Sequence, residues 1–186
     1  MLQYGFSKRV GDRWTFALEF EIHGSPPRRW NEWWGSLWLW AEGHLVGSPY
    51  ESEMVMTGLE SLYEAAGETG TRDKCLLPTS NSREALEMVL WARYGDSNPV
   101  MERTVRNEKA LFAFEILPRR TGPFFEDWEA ILLEEGVNER FIYRQKGADV
   151  VEAAWPLGTF RRVITEARSD FEKLARSMLN ETSGVS

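Results

Sequence analysis

From Trp14 the chain alternates, with Trp14, Phe16, Leu18, Phe20 and Ile22 on one side and Thr15, Ala17, Glu19 and Glu21 on the other. A period of two with one polar side predicts a half-buried β-strand. "GSPPRR" ends it, because two prolines and a glycine cannot continue a ladder. "SLWLWAEGHLVG" then predicts a hairpin turning at Glu42-Gly43. In its first strand Trp38 and Trp40 share one side and Leu37, Leu39 and Ala41 the other. A strand apolar on both sides is expected to be central and covered twice, which makes Trp38 and Trp40 core residues.

Helical spacing follows. Leu59, Leu62, Tyr63 and Ala66 recur at three and four within Thr57–Ala66, with Gly67 as a stop. A second helix starts near Asn81 or Ser82, where Asn81 with Glu84 three residues on resembles a capping box. It turns Leu86, Val89, Leu90 and Tyr94 inward and ends at Gly95. "DSNPVMER", Asp96–Arg103, predicts a loop.

The second half opens on "LFAFEIL", Leu111–Leu117, which alternates like a strand and echoes "LEFEI" at Leu18–Ile22. "PFFEDWEAILLEEG" predicts a helix, with Phe125, Trp128, Ile131, Leu132 and Glu135 near one face, Pro123 in the first turn and Gly136 at the end. "ERFIYRQK" and "DVVEAAW" predict a hairpin across "GA". From Thr159 to Leu179, Phe160, Val163, Ile164, Ala167, Phe171, Leu174, Ala175 and Met178 form one continuous stripe, the mark of a long amphipathic helix. Residues 1–10 and 180–186 are expected to fray. This order predicts one α+β domain over residues 1–186, a mostly antiparallel sheet covered by helices on one face.

Composition narrows the function. An apolar fraction of 42% with 27% charged residues over 186 positions fits a globular chain able to bury a core. A net charge of −7 disfavours nucleic acid as a direct partner and favours a basic one. The single cysteine, Cys75, rules out an internal disulfide framework. The N-terminus lacks the apolar run of a signal peptide, and no stretch reaches the ~18 apolar residues of a membrane span, so a cytoplasmic protein without membrane contact is expected.

Candidate chemistry is sparse. No phosphate-binding glycine loop and no G-x-S-x-G elbow occurs, and His23, His44 and Cys75 lack the spacing of zinc ligands, so no cofactor, metal or catalytic group is expected. Glu19 and Glu21 share a strand side, with Glu115 at the place equivalent to Glu21; carboxylate pairs run glycosidase chemistry, but a solvated strand side explains them more simply. The predicted helix over Phe124–Glu135 holds Glu126, Asp127, Glu129, Glu134 and Glu135 and no base. The first three suit a helix N-terminus, whereas Glu134 and Glu135 oppose the dipole at its end. That mismatch hints at selection for something other than stability, although a tolerated solvated face explains it more simply because the penalty is small and screened by salt. Trp30, Trp33 and Trp34 precede the hairpin at spacings of three and four, and could line a short helical turn open to a partner.

In order, "GDRWTFALEFEI", "WGSLWLWAEGHLVG", "FEDWEAILLEEGVNERFIYRQ" and "AAWPLGTFRRVITEA" resemble the immunity protein 42 family of bacterial polymorphic toxin systems. The matching pieces are Phe16–Glu21, Trp34–Gly47, Phe125–Trp128, Arg140–Tyr143 and Pro156–Ile164; the proline of "WPLGTF" precedes its leucine instead of following it, and "GSPPRRW" enlarges one connection. The resemblance implies a non-enzymatic cytoplasmic inhibitor that binds the C-terminal domain of a cognate toxin and blocks it. Charge adds the expectation of a basic toxin such as a nuclease. The expected contact residues are Glu126, Asp127, Glu129, Glu134 and Glu135, then Glu19 and Glu21, with Trp30, Trp33 and Trp34. Charge reversal at Glu134 and Glu135 is expected to weaken binding and leave the melting temperature unchanged. The competing classes are a carbohydrate or small-ligand module using exposed tryptophans and a small hydrolase using Glu19 and Glu21. Oligomeric state is not legible.

Overall fold

β1 (Tyr4–Asp12), β2 (Phe16–Gly24), β3 (Trp34–Ala41) and β4 (His44–Met54) form an antiparallel meander in chain order, the first sheet. α1 (Val55–Gly67) follows β4 without a break, and α2 (Ser82–Tyr94) and a short α3 (Glu108–Leu111) come next. β5 (Trp128–Glu135), β6 (Asn138–Gln145) and β7 (Val151–Pro156) make a second antiparallel meander, and α4 (Thr159–Ser183) ends the chain. The structure, a computed structural model, describes residues 4–24, 27–68, 70–77, 79–95, 108–117 and 123–183. The loop expected at Asp96–Arg103 lies outside them.

Several elements form as their sequence dictates. Glu42 and Gly43 both take positive φ, 48° and 83°, the turn that matches strand twist in a two-residue hairpin. Asn81 caps α2, its side chain accepting the Glu84 N–H at 3.1 Å, and Gly95 closes it in the left-handed region. In α4 the expected stripe is buried, save that Leu174 is half-buried.

Other expectations are corrected. Residues 4–10 do not fray but pair with β2 as an edge strand; few of them are apolar because an edge strand buries little. At the other end the helix runs on through Ser183. Trp14 leaves the strand and sits in the β1–β2 turn, 64% exposed. Tyr63 lies on the exposed side of α1, under Arg168. "LFAFEIL" is not a strand: α3 leads into a 3-10 turn at Phe112–Phe114, and only Glu115 bridges to Ile131. Leu111 and Phe114, three apart, both pack inward, which suits a helical turn and not an alternating strand. The predicted helix over Pro123–Gly136 is a 3-10 turn (Pro123–Phe125) followed by β5. Ala130, Ile131, Leu132 and Leu133 are all buried because the second sheet is covered on both faces.

One face of that sheet carries Ala130, Leu132, Phe141, Tyr143, Ala153 and Trp155 into the main core, where they meet β2, α1 and α4. Its other face sends Ile131, Leu133 and Ile142 against α2, Leu111 and Phe114. Among the described elements, α1, α4 and the second sheet pack on one face of the first sheet, and no described helix packs on the other. Phe16 of β2 joins the layers: its ring lies 4.6 Å from Trp155, 5.5 Å from Phe160 and 6.4 Å from Phe141.

Two buried charges fix the joints. Glu139, fully buried on β6, accepts the Gly158 N–H (2.9 Å), the Phe160 N–H (2.9 Å) and the Trp155 indole N–H (2.6 Å). It thus satisfies N–H groups that the start of α4 leaves without helical partners. Arg72, also buried, donates to the carbonyls of Ala65 at the end of α1 and Ala113. Burial pushes its guanidinium down from the usual range, against the opposing pull of Glu134, Glu68 and Glu139.

The sheet edges are also managed. Glu42 reaches from the β3–β4 turn to accept the Ala154 N–H on β7 at 3.0 Å. The β3–β4 ladder is interrupted: Gly35 pairs with Glu53 and Leu37 with Ser48, so Ser36 alone faces Pro49, Tyr50, Glu51 and Ser52. A Cβ at Gly35 would stand 1.7 Å from the Glu21 carbonyl oxygen.

Replacing Glu139 with Ala should strand three buried donors and cost about 3 kcal/mol in urea unfolding, with Glu139→Gln losing less. Gly35→Ala should cost about as much by overpacking, read as a lower urea midpoint at unchanged slope.

Candidate functional site

A cleft of about 400 Å³ lies where the edge strand β4 meets the turn that enters β5. Gly47 makes the close approach possible, since a Cβ there would lie 2.8 Å from the Phe125 ring. The turn therefore sits against β4 and brings Glu126 and Asp127 beside Tyr50 and Glu51. Lys146 secures it from behind, its N–H donating to the Asp127 carbonyl (2.8 Å) and its ammonium to the Glu126 carbonyl. Both carboxylates stay exposed, and among the described residues no lysine or arginine lines the cleft. Trp128 forms part of its wall, 6.4 Å from the Tyr143 ring.

Next to this cleft is the face of the first sheet that no helix covers. Cross-strand pairing sets Arg9, Glu19 and Trp38 in one row and Ser7, Glu21 and Ser36 in the next. Glu19 accepts Arg9 (2.9 Å), the Trp40 indole N–H (2.9 Å) and Ser7 (3.3 Å). Burial raises its carboxyl, but the hydrogen bonds of Arg9, Trp40 and Ser7 outweigh that and leave its pKa lowered. Its bonds thus stabilise the fold above the ordinary carboxylate range and are lost as pH falls through the lowered value. Trp38 is nearly buried here, while Trp40 is half-buried on this face instead of lying in the core. Glu21 has His23 as neighbour at 3.7 Å.

The expected site residues do not gather in one place. Only Glu126 and Asp127 stand in the cleft; with Glu129, Glu134 and Glu135 they line no helix but straddle the two ends of β5. The bases absent from that segment come from other elements. Glu129 meets Arg144 at 2.7 Å, and Glu135 meets Lys74 and Arg140, each at 3.2 Å. Glu134 accepts the Gly70 N–H with both oxygens, at 2.7 and 2.9 Å, while its own N–H donates to the Arg72 carbonyl. The mismatch with a helix dipole therefore disappears, because Glu134 and Glu135 close a strand and anchor the segment after α1.

The tryptophan triplet divides as well. Trp33 is fully buried and donates to the Ala175 carbonyl (3.3 Å), and Trp30 lies beneath the Arg176 guanidinium at 4.3 Å. Both are held against α4, and Trp34 alone is well exposed, at 55%. Sequence reasoning missed Tyr50 and Glu51; the polar run "SPYESE" within a strand was the available signal of a bulged, projecting edge.

Among the described residues no three His, Cys, Asp or Glu side chains could hold a metal ion. A general acid needs a raised carboxyl, and Glu19 has the reverse. Glu115 is not equivalent to Glu21; it is buried near α2, bound by Tyr94 (2.6 Å) and Arg93 (3.4 Å). The exposed indoles Trp14 and Trp34 lie at opposite ends of the first sheet and form no stacking platform. Among the described residues no helix is long and apolar enough to cross a membrane.

A crystal structure of CdiI from Burkholderia dolosa AUO158 is similar, with a TM-score of 0.60 and 16% identity, covering 88% of this chain and 99% of that chain. At that identity the likeness speaks for the fold. A search of curated proteins finds no match. Residues 1–170 match the family Immunity protein 42, in agreement with the ordered motifs at Phe16–Glu21, Trp34–Gly47 and Arg140–Tyr143. The chain belongs to the immunity protein 42 family.

Proposed function

We propose that the protein neutralises a cognate toxin domain in the cytoplasm by covering its working surface, with no chemistry of its own. Membership of an immunity family carries this reading. The acidic cleft beside β4 supports it: Glu51, Glu126 and Asp127 stand together with no base among the lining residues, on a chain of net charge −7. Such a surface suits a basic partner and speeds its encounter. A nuclease groove built to receive phosphates is a partner of that kind, so the proposed target is a basic nuclease domain. Glu126 and Asp127 are proposed as contact residues, because among the described residues their carboxylates engage no partner that holds the fold together. Glu129, Glu134 and Glu135 have structural partners to lose, and any contribution to binding would come through the shape they maintain.

The toxin is best sought in the reading frame upstream of the gene. Binding of its purified, inactivated C-terminal domain tests the proposal. Between about 50 and 500 mM salt, where the Debye length falls about threefold, the association rate should drop steeply; a salt-independent rate would defeat the steering argument. The double variant Glu126→Lys with Asp127→Lys should slow association at least about tenfold with its melting temperature unchanged.

Glu134→Lys should behave in the opposite way. It removes two hydrogen bonds to Gly70 and should cost about 1–2 kcal/mol, or roughly 3–6 °C in a chain of this size, by calorimetry. An unchanged melting temperature would return Glu134 to the set of carboxylates available for binding.

A further inference from the structure

We infer that the interrupted ladder between β3 and β4 presents Trp34 and Tyr50 as anchors for an arginine-bearing loop of the toxin. The inference rests on the inhibitory reading above and names the chemistry of the contact.

The ladder break is the first observation. Ser36 faces four residues of β4, so the strand cannot lie flat there and Tyr50 is pushed out to 93% exposure. Bulges of this kind re-aim side chains and recur beside functional sites. On the other side of β3, Gly35 lies against the Glu21 carbonyl of β2, so the strand carrying the break is itself held closely to its inner neighbour. Trp34, immediately before it, pairs with His23 on one side and Met54 on the other, on the sheet face that no helix covers. A tryptophan, a tyrosine and a methionine at a projecting edge have the composition of an interface centre.

The second observation concerns cations. Other tryptophans at the surface are already covered by the chain's own guanidinium groups: Trp14 by Arg13 at 4.6 Å, Trp30 by Arg176 at 4.3 Å and Trp40 by Arg9 at 5.7 Å. Among the described residues no cation or other ring covers the ring of Trp34 or Tyr50, and the one side chain bonded to Tyr50, Ser48, meets its backbone N–H. Between Trp34 and Met54 the sequence holds Glu42, Glu51 and Glu53 and no lysine or arginine. The open ring faces, with Glu21 and Glu51 near them, therefore suit a guanidinium supplied from outside, which stacks on an aromatic face and pairs with a carboxylate together. Tyr50 and Glu51 also line the acidic cleft, and Trp34 and Met54 pair at the far end of the same ladder break.

The test measures equilibrium binding of the inactivated C-terminal domain encoded upstream to the full-length protein and its variants. Trp34→Ala and Tyr50→Ala should each weaken binding at least about tenfold, with melting temperatures unchanged since neither side chain is in the core. Trp34→Phe should retain most of the affinity and Trp34→Leu should not, because only the former keeps an aromatic face for the cation. Trp14→Ala, at the far end of the sheet, should bind as the parent does. If both alanine variants bind within about twofold of the parent, the anchors are wrong while the inhibitory reading stands. If Trp34→Leu binds as tightly as Trp34→Phe, the contact is apolar and the arginine is excluded. If the parent itself fails to bind the domain, the inhibitory reading falls and the anchors with it.

Discussion

The architecture turns on a buried carboxylate. Glu139 of β6 holds the first N–H groups of α4 and the indole of Trp155 in one cluster of hydrogen bonds. This fixes where the last helix begins and how it enters the core. Phe160 and Trp155, both held by this carboxylate, are two of the rings that close around Phe16, so a polar contact in the second sheet sets the packing of the first. Such a group is costly to bury and is stable only because all three donors are present. Arg72 does the same beside the β5 edge of the second sheet, where its guanidinium gathers carbonyls from the end of α1 and from the 3-10 turn after α3.

With the frame held from within, the outer surface divides in two. One set of charges is engaged in joining segments: Glu129 with Arg144, Glu135 with Arg140 and Lys74, and Glu60 with Arg168. The other set, around the entry to β5 and the edge of β4, has no such duty. Substitutions at Glu126 or Asp127 would leave those joints untouched, so the surface proposed above for toxin binding can change without disturbing the frame.

Much of the architecture was legible in the residues. The β3–β4 hairpin followed from Glu42-Gly43, α2 from Asn81 and Gly95, and α4 from its stripe, because each rests on a local rule. The segment from Phe124 to Glu135 misled, since Phe125, Trp128, Ile131 and Leu132 fit helical spacing while "AILL" equally fits a strand covered twice. Local pattern could not decide; the ladder to β6 does, with Leu132 opposite Phe141 and Glu129 opposite Arg144. The rule for strands apolar on both sides was applied to β3, where Trp40 is only half-buried, and it holds better for β5. The candidate site was legible in the same uneven way. Glu126 and Asp127 were singled out as acids of a helix that does not form, and Trp34 as one of a triplet whose member Trp33 is buried through a contact with Ala175, 142 positions away. Tyr50 gained meaning only from the broken register opposite Ser36.

The carboxylate of Glu42 on the Ala154 N–H bears on how the protein behaves before it meets a partner. β7 is the outermost strand of its sheet, and an open outermost strand is a template on which a second chain can grow. Here one of its backbone donors is occupied by Glu42, and Pro156 at its end has none to offer. At Ala154 and Pro156 that strand therefore offers no free backbone donor, and its edge is less open to pairing with another chain there than a bare strand would be.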